Sequence, residues 1–214
     1  MPNTSRSSSR LVRLRDRVRP WIQDFAMGFM DPMRAETVGA ARGDVLEIGF
    51  GTGRNLAFYS RSVESVWGVD PMVTHGVGPV ERRIEDAPFA VARFALSADD
   101  TLPFDAARFD CVVTTWTLCS IPDAESALAE MQRVLKPGGT YLFLEHGRVR
   151  SERAARWQDR LNPLWNRLTE GCNINRPIDA LVEGAGFELE AVSEFKAAGP
   201  GLTSHMYRGV ATKV

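Results

Sequence analysis

The sequence has few features of a membrane-spanning, disulfide-linked or nucleic-acid-binding protein. No run approaches the roughly 20 uncharged apolar residues that a membrane-spanning helix needs, and the N-terminus has arginines and serines where a secretory signal would have an apolar segment. The three cysteines have no metal-type spacing, which argues against a disulfide framework or a zinc site and predicts a reducing, cytoplasmic compartment. A formal net charge of −1 gives no electrostatic reason to expect a nucleic-acid partner.

What the chain does contain is the composition of one water-soluble globular domain, with 214 residues, 44% hydrophobic and 25% charged. The first 20 residues differ, since they hold six arginines and one acidic residue. We therefore predict a basic arm over residues 1–19 and a domain over residues 20–214. Leu11, Leu14 and Val18 recur at helical spacing in the arm. The arm is either a solvated helix that rests on the domain, or a lid or a weak peripheral contact with anionic lipid.

Short apolar runs alternate with helical patterns along the domain. The predicted strands are Val45–Ile48, Ser65–Val69, Ala92–Leu96, Asp110–Thr115, Thr140–Leu144, Phe187–Phe195 and Met206–Val214. Near-continuous apolar strands are typical of a parallel sheet that is covered by helices on both faces. The pattern predicts an α/β protein with a Rossmann-like, doubly wound sheet.

Helices are predicted between these strands. They cover Pro20–Arg42 with a break at Asp31-Pro32, Leu56–Ser60, Val80–Ile84, Ala124–Leu135, Arg153–Thr169 and Pro177–Gly184. Asp123 is a suitable N-cap for the helix that follows it, because its side chain can accept hydrogen bonds from free backbone amides. We expect Asn162-Pro163 to interrupt its helix, since proline removes a backbone donor.

A glycine-rich turn, V-L-E-I-G-F-G-T-G-R-N, joins the first strand to the next helix. Gly49 permits a sharp turn, Gly51 lets the backbone approach a ligand, and Gly53 allows close packing where the helix starts. Asp70, at the end of the second strand, can accept hydrogen bonds from both ribose hydroxyls of an adenosine. The alternative is that the glycines only shape a tight turn.

Two charged residues discriminate among the nucleotide ligands that such a turn could bind. Arg54 stands where the dinucleotide fingerprint requires glycine or alanine. Glu47 puts a carboxylate beside the turn, which disfavours a pyrophosphate and suits a cation with an amino group and a sulfonium. The turn therefore favours S-adenosyl-L-methionine over a nicotinamide cofactor, with Glu47 and the three glycines around the methionine end.

The pattern E-x-G-x-G-x-G and several later segments resemble the class I S-adenosylmethionine-dependent methyltransferases. The segments are SADDTLPF, FDCVVTTWTLCSIPD and EMQRVLKPGGTYLFLEHG, and the resemblance covers roughly Val45–Gly147. It implies a seven-stranded, mostly parallel sheet whose last strand is antiparallel. It also implies that Asp99, or the adjacent Asp100, receives the adenine amino group. We assign Thr115, at the end of the fourth strand, to the cofactor site as well.

A narrower resemblance covers nearly everything after Val45. TLCSIPD, LEHG, LNPLWNRLTEGCNINRPIDAL and YRGVATK are similar to the methyltransferase-like 7, or thiol S-methyltransferase, group and its bacterial relatives. This resemblance implies a small alkyl thiol as the acceptor. The chain departs from the group in the irregular loop after Asp70 and in the arginine-rich arm, which stands where the animal proteins have an apolar anchor.

His146 follows the fifth strand, at the edge where side chains face the cofactor cleft. We predict that it acts as the base or orients the acceptor, the alternative being that it bonds to a loop. Trp116, Asn173, Asn175 and Arg176 are predicted to line the acceptor side. The sequence is equally compatible with a core position for the tryptophan and with backbone hydrogen bonds for the other three.

Cys119 and Cys172 have no base near them in the sequence. We interpret both as packing residues, since small buried cysteines are common, and we predict no bound metal. His75 and His205 receive no role.

Together these observations predict an enzyme that transfers a methyl group from S-adenosyl-L-methionine to a small-molecule acceptor, a thiol by resemblance. Two alternatives stay open. One is methylation of phospholipid head groups or of another nitrogen or oxygen acceptor. The other is a cofactor-binding protein without catalytic activity.

Overall fold

Seven strands and five helices alternate along residues 21, 24–25, 27–71, 79–97, 101–169, 171–199 and 201–214, which the computed structural model describes. The strands are β1 (Gly43–Ile48), β2 (Val63–Asp70), β3 (Ala90–Ala95), β4 (Phe109–Thr115), β5 (Leu135–His146), β6 (Phe187–Lys196) and β7 (His205–Lys213). The helices are α1 (Asp31–Val38), α2 (Val80–Glu85), α3 (Ala124–Val134), α4 (Glu152–Leu168) and α5 (Ile178–Gly184). The predicted basic arm over residues 1–19 lies outside the described residues.

The strands form one sheet with the order β3-β2-β1-β4-β5-β7-β6. Strands β1 to β5 all run parallel to one another, whereas β7 runs antiparallel to both β5 and β6. The predicted fold class is confirmed, including the antiparallel last strand. The strand order reverses between β1 and β4, and sheets of this kind bind ligands in the crevice at that point.

Hydrophobic clusters cover both faces of the sheet, because alternate residues of a strand point to opposite sides. Leu46 and Ile48 of β1 belong to a cluster that includes α3 and α5. Val45, which precedes Leu46 and points to the opposite face, belongs to a second cluster that includes α1 and α2. Burial on both faces explains the near-continuous apolar strands. None of the described helices combines the length and the apolar character that crossing a bilayer requires.

Two predicted helix boundaries are wrong near the site. The predicted helix Leu56–Ser60 is a single 3₁₀ turn over Arg54–Ala57, because the chain then turns inward and the Tyr59 hydroxyl reaches the buried Glu47. The prediction for Ala124–Leu135 ends one residue late, since β5 already begins at Leu135. The capping prediction is confirmed, because Asp123 accepts a hydrogen bond from the Ser126 backbone.

The expected interruption of α4 is also wrong, since Pro163 lies inside a continuous helix. The proline is exposed, so its ring meets solvent instead of a packed neighbour. Asn162 and Asn166 flank it and both donate hydrogen bonds to Asn173 Oδ1, over 2.9 and 3.1 Å. These tertiary contacts hold the helix across the position where a backbone hydrogen bond is lost.

Candidate active site

Four strands end side by side at the carboxyl edge of the sheet. β1 leads into Gly49, β2 ends at Asp70, β4 ends at Thr115 and β5 ends at His146. The pairing of β1 with β2 and β4, and of β4 with β5, places these ends next to one another. Because the strand order reverses here, residues predicted from separate motifs converge on one crevice.

The glycine-rich turn needs glycine for both conformation and space. The φ angles of Gly49, Gly51 and Gly53 are 79°, 54° and 71°, in the left-handed region that side chains rarely adopt. A Cβ atom on Gly49 would lie 1.9 Å from Thr117 Oγ1, so the turn packs directly against the loop after β4. Gly51 is exposed, and the nearest atom to a Cβ there would be 3.9 Å away. Its open face lets a ligand approach the backbone.

Asp70 is tied to this turn. The backbone N–H of Gly51 donates a hydrogen bond to Asp70 Oδ2 over 2.9 Å. This contact holds the carboxylate beside the open face of the turn, and its ribose-binding role stays a prediction. The predicted adenine contact Asp99, and its neighbour Asp100, lie outside the described residues.

Glu47 is buried next to the turn, and both of its carboxylate oxygens are engaged. Asn55 Nδ2 donates to Oε1 over 3.0 Å, and the Tyr59 hydroxyl donates to Oε2 over 2.7 Å. Burial raises the pKa of Glu47 to about 7, although the two hydrogen bonds and the charge of Arg34 oppose the rise. The carboxylate therefore supports the turn through Asn55, and a direct contact with a cationic cofactor stays a prediction.

Arg34 of α1 connects this network to β4. Its Nη1 donates to Asn55 Oδ1 over 2.9 Å and to Thr115 Oγ1 over 3.1 Å. Asn55 Nδ2 also donates to the Thr115 hydroxyl, over 3.1 Å. Thr115, a predicted cofactor residue, is thus part of the buried polar support of the turn.

Trp116 has a strained backbone directly after the end of β4. Its φ is 53°, and its buried indole Nε1 has no hydrogen-bond partner among the described residues. The Arg34 guanidinium lies 4.6 Å from the centre of its ring, a cation–π distance. Backbone strain concentrates at functional sites, and a buried donor without a partner is free to bind a ligand. The predicted contact of Trp116 with the acceptor stays a prediction.

Glu145 holds the loop that follows Trp116. Its two carboxylate oxygens accept hydrogen bonds from the backbone N–H groups of Thr117 and Cys119, each over 3.1 Å. Glu145 is completely buried, and Thr117 fills the space beside Gly49. One carboxylate therefore fixes the loop after β4 against the glycine turn.

Three residues far apart in the sequence meet beside this loop. Cys172 Sγ lies 3.5 Å from His146 Nδ1 and 3.6 Å from Cys119 Sγ, and Cys119 Sγ lies 4.0 Å from the same nitrogen. Its contacts with Cys119 and His146 hold the pKa of Cys172 well below its usual range. The same contact with Cys172 raises the pKa of Cys119, as burial does. The predicted base thus lies next to two thiols that the sequence had assigned to packing.

The predicted acceptor residues after α4 are mostly engaged in local hydrogen bonds. Asn173 Nδ2 donates to the carbonyl of Cys119 over 3.0 Å, and Asn175 Nδ2 donates to Asp159 over 2.9 Å. Arg176 Nη1 donates to the carbonyl of Leu118 over 2.5 Å. Asn173 and Arg176 therefore attach this segment to the loop after β4, and their contact with an acceptor stays a prediction.

Comparison with known proteins agrees with this geometry. A family model described as a methyltransferase domain matches residues 46–143. Thiol S-methyltransferase TMT1A of Homo sapiens is 35% identical over 157 residues, which make up 72% of this chain and 63% of that protein. The chain has the fold of the class I methyltransferases, with a methyltransferase domain over residues 46–143. S-adenosyl-L-methionine is the cofactor that the glycine turn predicts, and solved proteins with this fold include a SAM-dependent methyltransferase.

Two further proteins are similar to the chain in sequence or in fold. The phosphatidylethanolamine N-methyltransferase of Cereibacter sphaeroides is 32% identical over 131 residues, 58% of this chain and 63% of that protein. A SAM-dependent methyltransferase from Methanosarcina mazei has the same fold, with a TM-score of 0.61 at 19% identity, over 80% of this chain and 92% of that chain. The chain spans 63% and 59% of the first two thiol methyltransferases that it matches, so a third or more of each lies outside the match.

Sequence reasoning missed one buried residue that joins three loops of the fold. Gln158 Nε2 lies 2.9–3.1 Å from the backbone carbonyl oxygens of Gly147, Ile174 and Leu202. Its Oε1 accepts a hydrogen bond from the backbone of Val149 over 2.9 Å. The sequence signal is weak, because a single buried glutamine on a helix rich in arginine resembles any exposed polar residue.

Proposed function

We propose that this chain transfers the methyl group of S-adenosyl-L-methionine to the sulfur of a small-molecule thiol. The contact of Gly51 with Asp70, at the point where the strand order reverses, carries the proposal. The similarity to thiol S-methyltransferase TMT1A supports the acceptor class.

The residues at the carboxyl edge fit this cofactor. The open backbone face of Gly51 would receive the methionine end, and Asp70 would accept hydrogen bonds from the ribose hydroxyls. The indole N–H of Trp116, which has no partner in the part of the chain that the structure describes, offers a further donor. When bound, the cofactor supplies an electrophilic methyl carbon on a sulfonium. The protein's contribution is then to hold a nucleophile in line with that carbon.

A thiol acceptor must lose its proton to become a good nucleophile. His146 is partly exposed at the end of β5, where it would take this proton or orient the sulfur. The positive charge of Arg176 interacts with Glu145, Cys119 and Cys172, so it favours a thiolate in this region.

An open cleft beside α4 would accommodate the rest of an apolar acceptor. Its volume is about 660 Å³, and Val149, Ala154, Leu161, Leu202 and His205 are among its lining residues. Val149 and Leu202 are also held by Gln158, which bonds to the chain next to His146 and Cys172. Gln158 therefore bonds both to residues that line the cleft and to the chain next to the predicted base.

The proposal is tested by calorimetry with S-adenosyl-L-methionine and by a mass-detected screen of thiols, phenols and amines. Asp70→Asn should weaken cofactor binding at least about tenfold. The substitution replaces the charged carboxylate that accepts hydrogen bonds from the Gly51 N–H and, as proposed, from the ribose hydroxyls. The matched control is Asp86→Asn at an exposed position after α2, which should bind the cofactor as the natural chain does.

A methylated thiol as the main product would support the proposal. Equal cofactor affinity in both variants would contradict the assignment of the site. Tight cofactor binding with no product from any acceptor would favour the non-catalytic alternative. A methylated amine or phenol without any methylated thiol would contradict the acceptor class.

A second candidate is methylation of a lipid amine, and one feature of α4 favours it. Trp157, Leu161, Leu164 and Leu168 recur at spacings of four, three and four residues, and their side chains are 50%, 39%, 60% and 69% exposed. Exposed arginines accompany this stripe at positions 153, 156, 160 and 167. An exposed apolar stripe with flanking arginines is typical of helices that lie on anionic membranes, and a phosphatidylethanolamine N-methyltransferase is among the relatives.

Vesicles of phosphatidylethanolamine and phosphatidylglycerol test this second candidate. Leu164→Glu should abolish vesicle binding and head-group methylation, because it places a charge in the apolar stripe. Ala180→Glu adds the same charge at an exposed position of α5 and should leave both unchanged. Absence of vesicle binding by the natural chain would exclude the candidate.

We propose a cytoplasmic location for the activity, as the low cysteine content predicts. All three cysteines are free thiols, which a reducing compartment maintains. Cell fractionation that recovers the chain from an oxidising compartment would contradict this location.

A further inference from the structure

Cys119, His146 and Cys172 form a cluster of metal-ligating atoms. The two sulfur atoms and His146 Nδ1 all lie within 4.8 Å of one another. The three residues come from the loop after β4, the end of β5 and the segment after α4. They are separated by 27 and 26 positions, so no local sequence motif announces the cluster.

The distances match a tetrahedral zinc site. Zinc bonds of about 2.3 Å to sulfur and about 2.0 Å to nitrogen place two sulfurs about 3.8 Å apart and a sulfur and a nitrogen about 3.5 Å apart. The sulfurs of Cys119 and Cys172 are 3.6 Å apart, and their distances to His146 Nδ1 are 4.0 and 3.5 Å. A disulfide needs a bond of about 2.05 Å, so the sulfurs would have to approach by about 1.5 Å.

Buried hydrogen bonds hold each ligand in place. The backbone of Cys119 is bound on both sides, since its N–H donates to Glu145 and its carbonyl accepts from the backbone N–H of Asn173. Gln158 bonds to the carbonyls of Gly147 and Ile174, which lie next to His146 and near Cys172. A metal site that is ordered before binding loses little conformational freedom when the ion enters.

The charges around the cluster suit a divalent cation. Two thiolates balance Zn²⁺, and Arg176 balances the buried Glu145 beside them. Two sulfurs and an imidazole favour the binding of zinc over that of magnesium or calcium, which prefer oxygen ligands.

We propose that Cys119, His146 and Cys172 bind one Zn²⁺ ion, and that the fourth tetrahedral position takes the sulfur of the thiol acceptor. The second half of this inference rests on the proposed function. Among the described residues only these three form such a cluster, and three protein ligands with one open position are typical of catalytic zinc. The inference reverses the sequence-based expectation of no metal, which depended on spacing along the chain.

Zinc would activate the acceptor by binding its thiolate. The thiol displaces the water at the fourth position, its sulfur bonds to the ion, and its proton passes to solvent. Of the two roles proposed for His146, this step uses the second, because His146 orients the sulfur through the ion. The sulfur is then a nucleophile near neutral pH, and the ion is neither oxidised nor reduced.

Metal content provides the first test. The protein is purified under reducing conditions, loaded with Zn²⁺, freed of loosely bound ion by dialysis and assayed for zinc. We expect about one Zn²⁺ per chain in the natural protein and in Cys111→Ala, whose sulfur is buried in β4 away from the cluster. Cys119→Ala and Cys172→Ala should each weaken zinc binding more than the roughly 10–100-fold that loss of an outer partner costs.

Circular dichroism and S-adenosyl-L-methionine calorimetry on the same variants show whether each one folds. Zinc loss from variants that still bind the cofactor supports the site. No zinc in the loaded natural protein, or a Cys119–Cys172 disulfide in the protein purified under reducing conditions, would overturn it. Equal zinc retention by all three alanine variants would overturn it as well.

Cobalt substitution tests the fourth position without relying on turnover. Addition of a simple alkyl thiol to the Co²⁺ form should change the sulfur-to-cobalt absorption band, and His146→Ala should remove this response. An unchanged spectrum at saturating thiol would overturn the acceptor half of the inference. A changed spectrum without methylated product would contradict the proposed function and leave the metal site standing, so the two failures are distinguishable.

Discussion

Replacing the buried Glu47 with glutamine should remove a pH-dependent loss of stability. The carboxylate lies against Asn55 and Tyr59, with Arg34 as the nearby positive charge and Asp70 as the nearby negative one. Burial raises its pKa from 4.5 to about 7. Glutamine keeps the shape and can still bond to Asn55 and Tyr59, because the tyrosine hydroxyl both donates and accepts. The substitution therefore removes the titration with little change in packing.

The free energy of unfolding should fall with rising pH, because folding raises the pKa of Glu47. Between pH 4.5 and about 7 the folded chain keeps a proton on Glu47 that the unfolded chain has lost, so the free energy of unfolding falls as the pH rises. Each pH unit of pKa difference corresponds to about 1.36 kcal/mol, so the full loss is about 3 kcal/mol. Above pH 7 both states are ionised, and the contribution stays constant.

Urea unfolding of the natural chain and of Glu47→Gln, at half-unit steps from pH 4.5 to 8, measures this effect. The stability of the variant relative to the natural chain should rise by about 3 kcal/mol between pH 4.5 and 7 and then level off. Taking the difference removes the titration of all other groups. The control, Glu64→Gln at an exposed position of β2, should stay within about 0.5 kcal/mol at every pH. A difference curve for Glu47→Gln that is flat across the range would refute the reasoning.

Three further substitutions test the packing around the site. Gly49→Ala should weaken cofactor binding, measured by calorimetry, at least about tenfold, because Gly49 has a positive φ and a Cβ atom there collides with Thr117. Its control, Gly184→Ala, places the Cβ atom in open space and should leave the affinity unchanged. Gln158→Leu should lower the free energy of unfolding, measured in urea, by about 2–4 kcal/mol, because it leaves buried carbonyls without a hydrogen-bond donor. Its control, Gln132→Leu, loses one exposed hydrogen bond and should cost under about 1 kcal/mol. Pro163→Ala should raise the unfolding temperature and stabilise the chain by about 2 kcal/mol, and a lower temperature would mean that α4 needs the proline.

Features that depend on local conformation could be predicted from the sequence. The glycine turn is one such feature, since positions 49, 51 and 53 all have positive φ, a conformation that glycine adopts more readily than other residues. The strands are another, because burial on both faces of a parallel sheet demands a continuous apolar run. Asp70 was found for a related reason, as the acid that ends the strand beside the turn.

Other predictions failed or were incomplete because they depend on neighbours that the local sequence does not contain. Pro163 was expected to break α4, but contacts with Asn173, which is ten positions away in the sequence, hold the helix across it. The role of Glu47 at the cofactor stays a prediction, and the sequence did not reveal that Asn55 and Tyr59 bond to its two oxygens. The roles of buried polar groups depend on such partners, since burial without them is costly.

The amino-acid sequence by itself determined the class of sheet, the glycine turn and the cofactor, because each depends on the types of residues that lie close together in the chain. Only the tertiary structure decided the surroundings of His146. The strand order places the ends of β4 and β5 side by side, and Asn173 and Gln158 then hold the segment after α4 against them. Cys119 and Cys172, 53 positions apart, meet at 3.6 Å as a result. Long-range pairing of this kind leaves no periodicity or spacing in the chain, so it becomes visible only when the sheet is assembled.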